Sequence, residues 1–522
     1  MSNKKAISRM MTLSLIFALL LSACGKSNNV NNADGKNTAS EGNATKETNT
    51  GTNATDVSKL KTREISIYFE GPPTQRDTEL VEQEINKITT AKINATVKIH
   101  HLGWSEFPQK MNLMMASGEP FDLMFTAGWD NFNGNVAKGA FVQLDDPKNN
   151  LLENQGKGIL ENIDPLMLNG GKIAGKIYAI PTQKEIASQQ GMFLQKELVD
   201  KYKIDLASIK KLEDLEPYLL QVKKDSPNII PIIATSNWLG ILPYEIVGSK
   251  ESPGRLPNDG STKVVNVFET EEAKSLFKLM EKWFKLGLFQ KDPATNTDLM
   301  SQSKTGLVFT QQTQLKPGGD AEYNIGVEKP FVQVPLTEIR TAPGDLNNSM
   351  LAISKTSKDP ERAMMFLNLL HTDKDLVNLI DYGIEGKHYV KVSGKESVIK
   401  YPDGVEAAQS GYAPSNAWQI GNQFLTYTFE QEDPQKWEKF KEFNKASTPS
   451  VLVGFVYNAE PVKNEEAAIA AIWKKYIDAL SAGIVDTTDY LDKMNKELKK
   501  AGMDKVLQEK QRQIDEFLAT KK

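Results

Sequence analysis

Trp129, Trp238 and Trp418 stand in loop-like stretches, Gly128-Trp129-Asp130-Asn131, Ser236-Asn237-Trp238 and Pro414-Ser415-Asn416-Ala417-Trp418, rather than in an apolar repeat. An aromatic ring covers the C–H face of a sugar, and a nearby carboxylate or amide fixes the direction of its hydroxyls. Glu70, Asp130, Gln183 and Glu385 offer such polar groups at loop positions. These seven residues are the candidate ligand contacts, and the chemistry they favour is saccharide binding without reaction. The competing reading is packing for a tryptophan and capping or solvation for a loop carboxylate. Trp283 and Trp473, at helical spacing among apolar neighbours, belong to a core on that ground.

Metal and covalent chemistry have little to build on. The chain has four histidines: His100 and His101 are neighbours on an alternating strand and so face opposite sides, while His371 and His388 stand alone. No HExxH and no nucleophile elbow occurs. No catalytic residue, metal or cofactor is expected. Gly170 to Ile177 nearly matches a phosphate-binding loop, but Ile177 stands where Ser or Thr must hold magnesium. The Tyr178-Ala179-Ile180-Pro181 that follows is strand-like where a helix must open. A tethered glycosidase, one alternative, would need two carboxylates roughly 5 to 10 Å apart, and no motif fixes such a pair. A peptide-binding protein, the other alternative, calls for a large cleft with main-chain hydrogen bonds and fewer stacked rings.

The elements that would position these residues read as α/β. Ile65, Ile67 and Phe69 alternate as one strand ending at Glu70-Gly71-Pro72-Pro73, Val81, Ile85 and Ile88 share a helix face, and Ile93, Ala95, Val97 and Ile99 alternate again. Strand, helix, strand at this spacing is a parallel crossover, and open parallel sheets bind ligands at the carboxyl ends of their strands. That rule selects Glu70, then Trp129 with Asp130 after Phe121 to Phe125, and Trp238 after Ile229 to Ala234. Further strands are expected at Gly306 to Thr310, Phe331 to Val334 and Met350 to Ile353, and a helix opens at Asp359-Pro360. From Val451 onward three amphipathic helices follow, carrying Ala468, Ile472 and Tyr476, then Leu491, Met494 and Leu498, then Leu507, Ile514 and Phe517. They are expected to pack back onto a lobe.

The N-terminus sets the compartment. Lys4, Lys5 and Arg9 precede an uncharged run from Met10 to Leu21, the layout of a secretory signal too short to span a bilayer as a mature helix. Cys24 is the one cysteine of 522 residues, so it has no internal disulfide partner. Leu21-Ser22-Ala23-Cys24 resembles the lipobox of bacterial lipoproteins, which implies that Cys24 is lipidated and anchors the mature chain to the outer face of the cell membrane. Gly25 to about Lys61 is Asn, Thr, Ser, Gly and Ala with scattered charge, the composition of a disordered tether. Loss of Met1 to Ala23 takes three cations from a chain of charge −4 and leaves −7. A mildly acidic surface argues against nucleic acid, whose binding needs clustered Lys and Arg.

Gly175-Lys176-Ile177-Tyr178-Ala179-Ile180-Pro181, the strand Gly306 to Thr310, and Ala352-Ile353-Ser354 leading into Asp359-Pro360-Glu361-Arg362-Ala363 together resemble the extracellular solute-binding lipoproteins of ABC importers. The likeness covers most of the chain after Glu64. Gly454-Phe455-Val456-Tyr457 and the helices after it are similar to a C-terminal extension found in a Gram-positive subgroup. The resemblance implies a two-lobed type II periplasmic-binding-protein-like fold, monomeric, that captures a carbohydrate, closes about a hinge and presents it to a membrane permease. It also implies the organisation: signal peptide 1–23, lipid-anchored linker 24–62, first lobe 63–180 with 325–384, second lobe 181–324 with 387–450, and helical extension 451–522. Hinge crossings are expected near Ala179 to Thr182, between Gly318 and Val327, and near Tyr382 to Gly386.

Overall fold

Ile65, Ile67 and Phe69 are buried along the strand Arg63–Glu70, and Ala95, Val97 and Ile99 along Ala95–Leu102. The computed structural model describes residues 57–71, 74–294, 299–324 and 327–521, all within one compact unit. Cys24, the signal-like segment and most of the tether lie outside the described residues. The two strands run parallel, joined by the helix Thr78–Ile93. That helix turns out of its last turn at Asn94, held in the left-handed region at φ 46°. Asp77 stands at its N-cap but makes no side-chain cap bond; its carboxylate is engaged instead by His388 and Lys387.

The first sheet has the order 95–102, 63–70, 123–126, 350–353, 180–181. Its first three strands are parallel and the strand Met350–Ile353 is antiparallel to both neighbours. Sequence therefore returns to this sheet after a long excursion. The second sheet has the order 331–335, 189–195, 308–315, 230–232, over a core that includes Met192, Leu194, Trp238, Met280, Trp283 and Phe309. Helices pack on both sheets. Residues 172–173 and 176–177 pair as an antiparallel hairpin, so the glycine-rich stretch is a turn and cradles nothing.

Strand pairing moves two of the expected boundaries. Phe331–Pro335 pairs antiparallel with Gln195 to Gly191, which places it in the second sheet and not the first. The chain therefore crosses between Pro335 and Met350, later than Gly318 to Val327. Tyr382 to Gly386 is not a crossing either, because Asn416, Trp418 and Gln419 still pack on the first lobe. An alternating pattern marks a strand but carries no record of the sheet it joins.

The crossings lie side by side. Ser188 and Arg340 exchange backbone hydrogen bonds of 2.7 and 2.9 Å, and Arg340–Thr341 pairs with Thr448–Pro449. Asn444 accepts from the amides of Ile186 and Ala187 and donates to the carbonyl of Lys184. A row of alternating charges runs beside them, with Glu185 near Lys184 and Lys316 (3.4 and 3.5 Å), and Glu322 near Lys316 and Lys436 (2.8 and 2.6 Å). Against burial, which alone would raise it, the two lysines hold the Glu185 carboxyl down at about 2.

The C-terminal helices Lys463–Ser481, Thr487–Lys500 and Met503–Ala519 pack on the second lobe. Ile469, Ile477, Leu480, Leu491 and Met494 join Val267, Phe268 and Phe277 in one cluster. Lys510 is fully buried there, donating to Ser252 Oγ (2.8 Å) and to the carbonyl of Val247, with Glu466 at 3.3 Å. Trp283 is a core residue as expected, and Trp473 is partly buried in the helical cluster. No helix among the described residues is long and apolar enough to cross a membrane.

Candidate functional site

The carboxyl ends of the first sheet's parallel strands carry a platform of three tryptophans. Trp104 follows the strand Ala95–Leu102, Trp129 sits in the single turn Gly128–Asp130 after the strand Leu123–Thr126, and Trp418 lies in the turn Ala417–Gln419. Trp104 and Trp418 are parallel within 5° at 6.1 Å, and Trp129 stands 6.3 and 6.5 Å from them. Phe125 supports the group from below, 5.6 Å from Trp129 and 5.3 Å from Trp418. Trp104 and Trp129 are more than half exposed, at 54% and 55%. Large aromatic faces left in water are costly unless something covers them.

The second crossing segment holds the ring of Trp129 and the main chain of Trp418. Trp129 Nε1 donates to the carbonyl of Asn348 (2.9 Å), and Ser349 Oγ donates to the carbonyl of Trp418 (2.7 Å). Gly128 lets Asn347 lie close, since a Cβ there would come within 2.4 Å of Asn347 Oδ1 and push that side chain aside. The platform is thus tied to the segment that crosses between the lobes.

Buried polar groups lie behind the rings. Gln419 brackets Glu70 by accepting from its amide (3.2 Å) and donating to its carbonyl, yet Glu70 Oε2 is buried with no partner. Thr126 Oγ1, His101 Nε2 and Asn416 Oδ1 are likewise buried and unpartnered. Burial, and after it the charge of Asp130, pushes the Glu70 carboxyl up to about 7. Burial alone lifts Asp130 to about 6, and burial, followed by the charge of His100, depresses His101 to about 4. A buried acceptor without a partner costs roughly 1–3 kcal/mol, which a ligand hydroxyl would recover.

The raised Glu70 has a testable sign. Its folded value lies above the ordinary one, so the stability it contributes is complete below about 4.5 and lost as pH rises through about 7. Glu70→Gln removes that loss. The variant should gain stability over the natural protein as pH rises from 5 to 8, on the order of 1 kcal/mol after screening by the open cleft. Denaturant unfolding across that range checks it; a constant difference would contradict it.

Of the seven expected ligand residues, the structure brings Glu70, Trp129, Asp130 and Trp418 together. Trp238 is instead a core residue, fully buried with Nε1 donating to the carbonyl of Ser481 (3.2 Å), because a C-terminal helix roofs its loop. Gln183 is also buried and committed, with Nε2 donating to Asn162 O (2.7 Å) and Oε1 3.0 Å from His371 Nδ1. Glu385 pairs with Lys391 at 3.1 Å and lines a separate hollow of about 360 Å³ that contains none of the tryptophans. Trp104 escaped the sequence reading although Gly103-Trp104-Ser105 follows a strand as Trp129 does. His101 and Asn416 carried no such signal. Among the described residues no three His, Cys, Asp or Glu side chains gather into a metal site.

The family model of bacterial extracellular solute-binding proteins matches residues 76–375. A domain of unknown function, DUF3502, matches residues 451–519, the helical extension. A carbohydrate ABC transporter substrate-binding protein of Streptococcus pneumoniae is 31% identical over 461 residues, covering 88% of this chain and 91% of the relative. The crystal structure of the N-glycan transport solute binding protein NgtS of S. pneumoniae superposes with a TM-score of 0.80 at 30% identity, over 88% of this chain and all of that one. The structure of NgtS in complex with Man5GlcNAc gives 0.71 at 30% identity, over 88% and 99%. With its family model matched across more than half its length and its two lobes superposed on a solved relative, the chain belongs to the bacterial extracellular solute-binding proteins.

Proposed function

We infer that this protein captures an oligosaccharide on the Trp104–Trp129–Trp418 platform, closes the second lobe over it and presents it to the permease of an ABC importer. The observation that carries this reading is the exposed aromatic platform beside buried, unpartnered polar atoms. Rings cover the sugar's C–H faces, and Glu70 Oε2 and Asn416 Oδ1 accept from its hydroxyls. The names of the relatives, a carbohydrate-binding protein and an N-glycan-binding one, agree with it, and N-glycan oligosaccharides are the first candidates. The protein performs no reaction on its ligand; uptake energy comes from a separate ATPase. It acts as a monomer.

The test is a thermal-shift screen against N-glycan and plant oligosaccharides and short peptides, with the glycans recovered afterwards. A ligand at a hundred times its dissociation constant stabilises the folded form by about 2.7 kcal/mol. A shift with intact glycan supports the reading. Shifts with peptides only, or shortened glycan, would overturn it.

The reading also places the protein at the outer face of the membrane, tethered through lipidated Cys24. An anchor with more than one acyl chain is lasting, at about 0.8 kcal/mol per buried methylene. Cys24→Ala should release the protein from the membrane fraction or leave its precursor unprocessed; retention with normal processing would contradict the anchor.

A further inference from the structure

Behind the segment that carries Trp418 lies a second, smaller chamber of about 60 Å³. It is lined by Asp381, His388, four tyrosines (382, 389, 401, 412), Phe429, Ala413, Ser415 and Ala417. Asp381 is 4% exposed. Its Oδ2 accepts from Gln423 Nε2 at 3.3 Å, while Oδ1 is buried without a partner. No Lys or Arg lines the chamber. Nor does His388 supply charge, since Nδ1 accepts from the amide of Ile384 (2.9 Å) and Nε2 therefore carries the proton toward Asp77 (3.2 Å). Ser415, exposed at the rim, is held in the left-handed region at φ 53°. A non-glycine residue persists there only when its surroundings fix it.

An unpaired buried carboxylate among aromatic faces selects a cation, because ring faces attract positive charge as the carboxylate does. A hard metal ion draws on several oxygens, carboxylates foremost, and Asp381 is the one acid in this lining. A water molecule needs roughly 10–15 Å³ of such a cavity, so the chamber has room for a small cation. We propose that this chamber binds a small primary ammonium ion, with Asp381 Oδ1 as its charge partner and the rings of Tyr389, Tyr401 and Phe429 as its walls. Burial favours a proton on Asp381, pushing its carboxyl up to about 8 against the Gln423 hydrogen bond; the ammonium ion takes that proton's place and the proton leaves to solvent.

The test is thermal unfolding of the full-length protein at mildly alkaline pH and constant ionic strength, with ammonium, methylammonium, sodium, potassium or tetramethylammonium chloride. Ammonium and methylammonium should raise the midpoint progressively with concentration, the other three should not, and Asp381→Asn should abolish the response. An equal rise with sodium or potassium, or a response kept by Asp381→Asn, would overturn the proposal. Should that variant fail to fold, Ala417→Leu, which fills the chamber from its rim, must abolish the response in its place. Calorimetric titration of the natural protein with methylammonium must also show saturable heat, and its absence would overturn the proposal as well.

Discussion

Trp104→Ala is expected to weaken oligosaccharide binding by about one to two orders of magnitude, roughly 1.4 to 2.8 kcal/mol, while leaving the fold intact. The ring is 54% exposed and packs on Trp129 and Trp418 rather than in the core. Its removal therefore takes away one face of the platform and little buried surface. Trp129→Ala should act in the same direction with a further loss of stability, since the bond to Asn348 goes with the ring. Calorimetric titration with the glycan found by thermal shift, paired with unfolding curves, separates the two effects. Unchanged affinity in Trp104→Ala would remove that ring from the binding surface.

The largest effect on stability is expected at Trp238. Trp238→Ala empties a fully buried site and strands the carbonyl of Ser481, and truncations of this kind cost about 3–5 kcal/mol. The damage falls where the helical extension meets the second lobe, so the C-terminal helices should loosen along with it. Glycan affinity measured below the unfolding transition should stay near that of the natural protein. Denaturant unfolding together with proteolysis of the last helices checks this. Normal stability with lost affinity would return Trp238 to the ligand.

Much of the first lobe was legible because its signals are local. The alternation of Ile65, Ile67 and Phe69, and of Val97 and Ile99, marks strands with one apolar face turned to the core. The rule for carboxyl ends of parallel strands then leads to Glu70, Trp129 and Asp130. The same rule applies to Trp104, whose Gly103-Trp104-Ser105 is as loop-like as the stretch around Trp129. Trp238 was misplaced for a different reason. Its loop does follow the strand Ile230–Ile232, but a helix more than 200 residues later covers it, and no local pattern records that. Gln183 likewise looks like any loop amide until His371 and Asn162 are brought against it. Phe331–Pro335 shows the same limit at the scale of a lobe, since its sheet is fixed by a partner strand at Gly191 to Gln195.

Glu70 and the platform belong to one account, in which rings hold sugar faces and the unpartnered acceptor beside them orients a hydroxyl. The measurement that tests it most directly is a crystal structure of the protein with its best-binding oligosaccharide. The account predicts a sugar ring against Trp104 and Trp418, with a hydroxyl donating to Glu70 Oε2. A glycan bound elsewhere, with the three tryptophans bare, would contradict it.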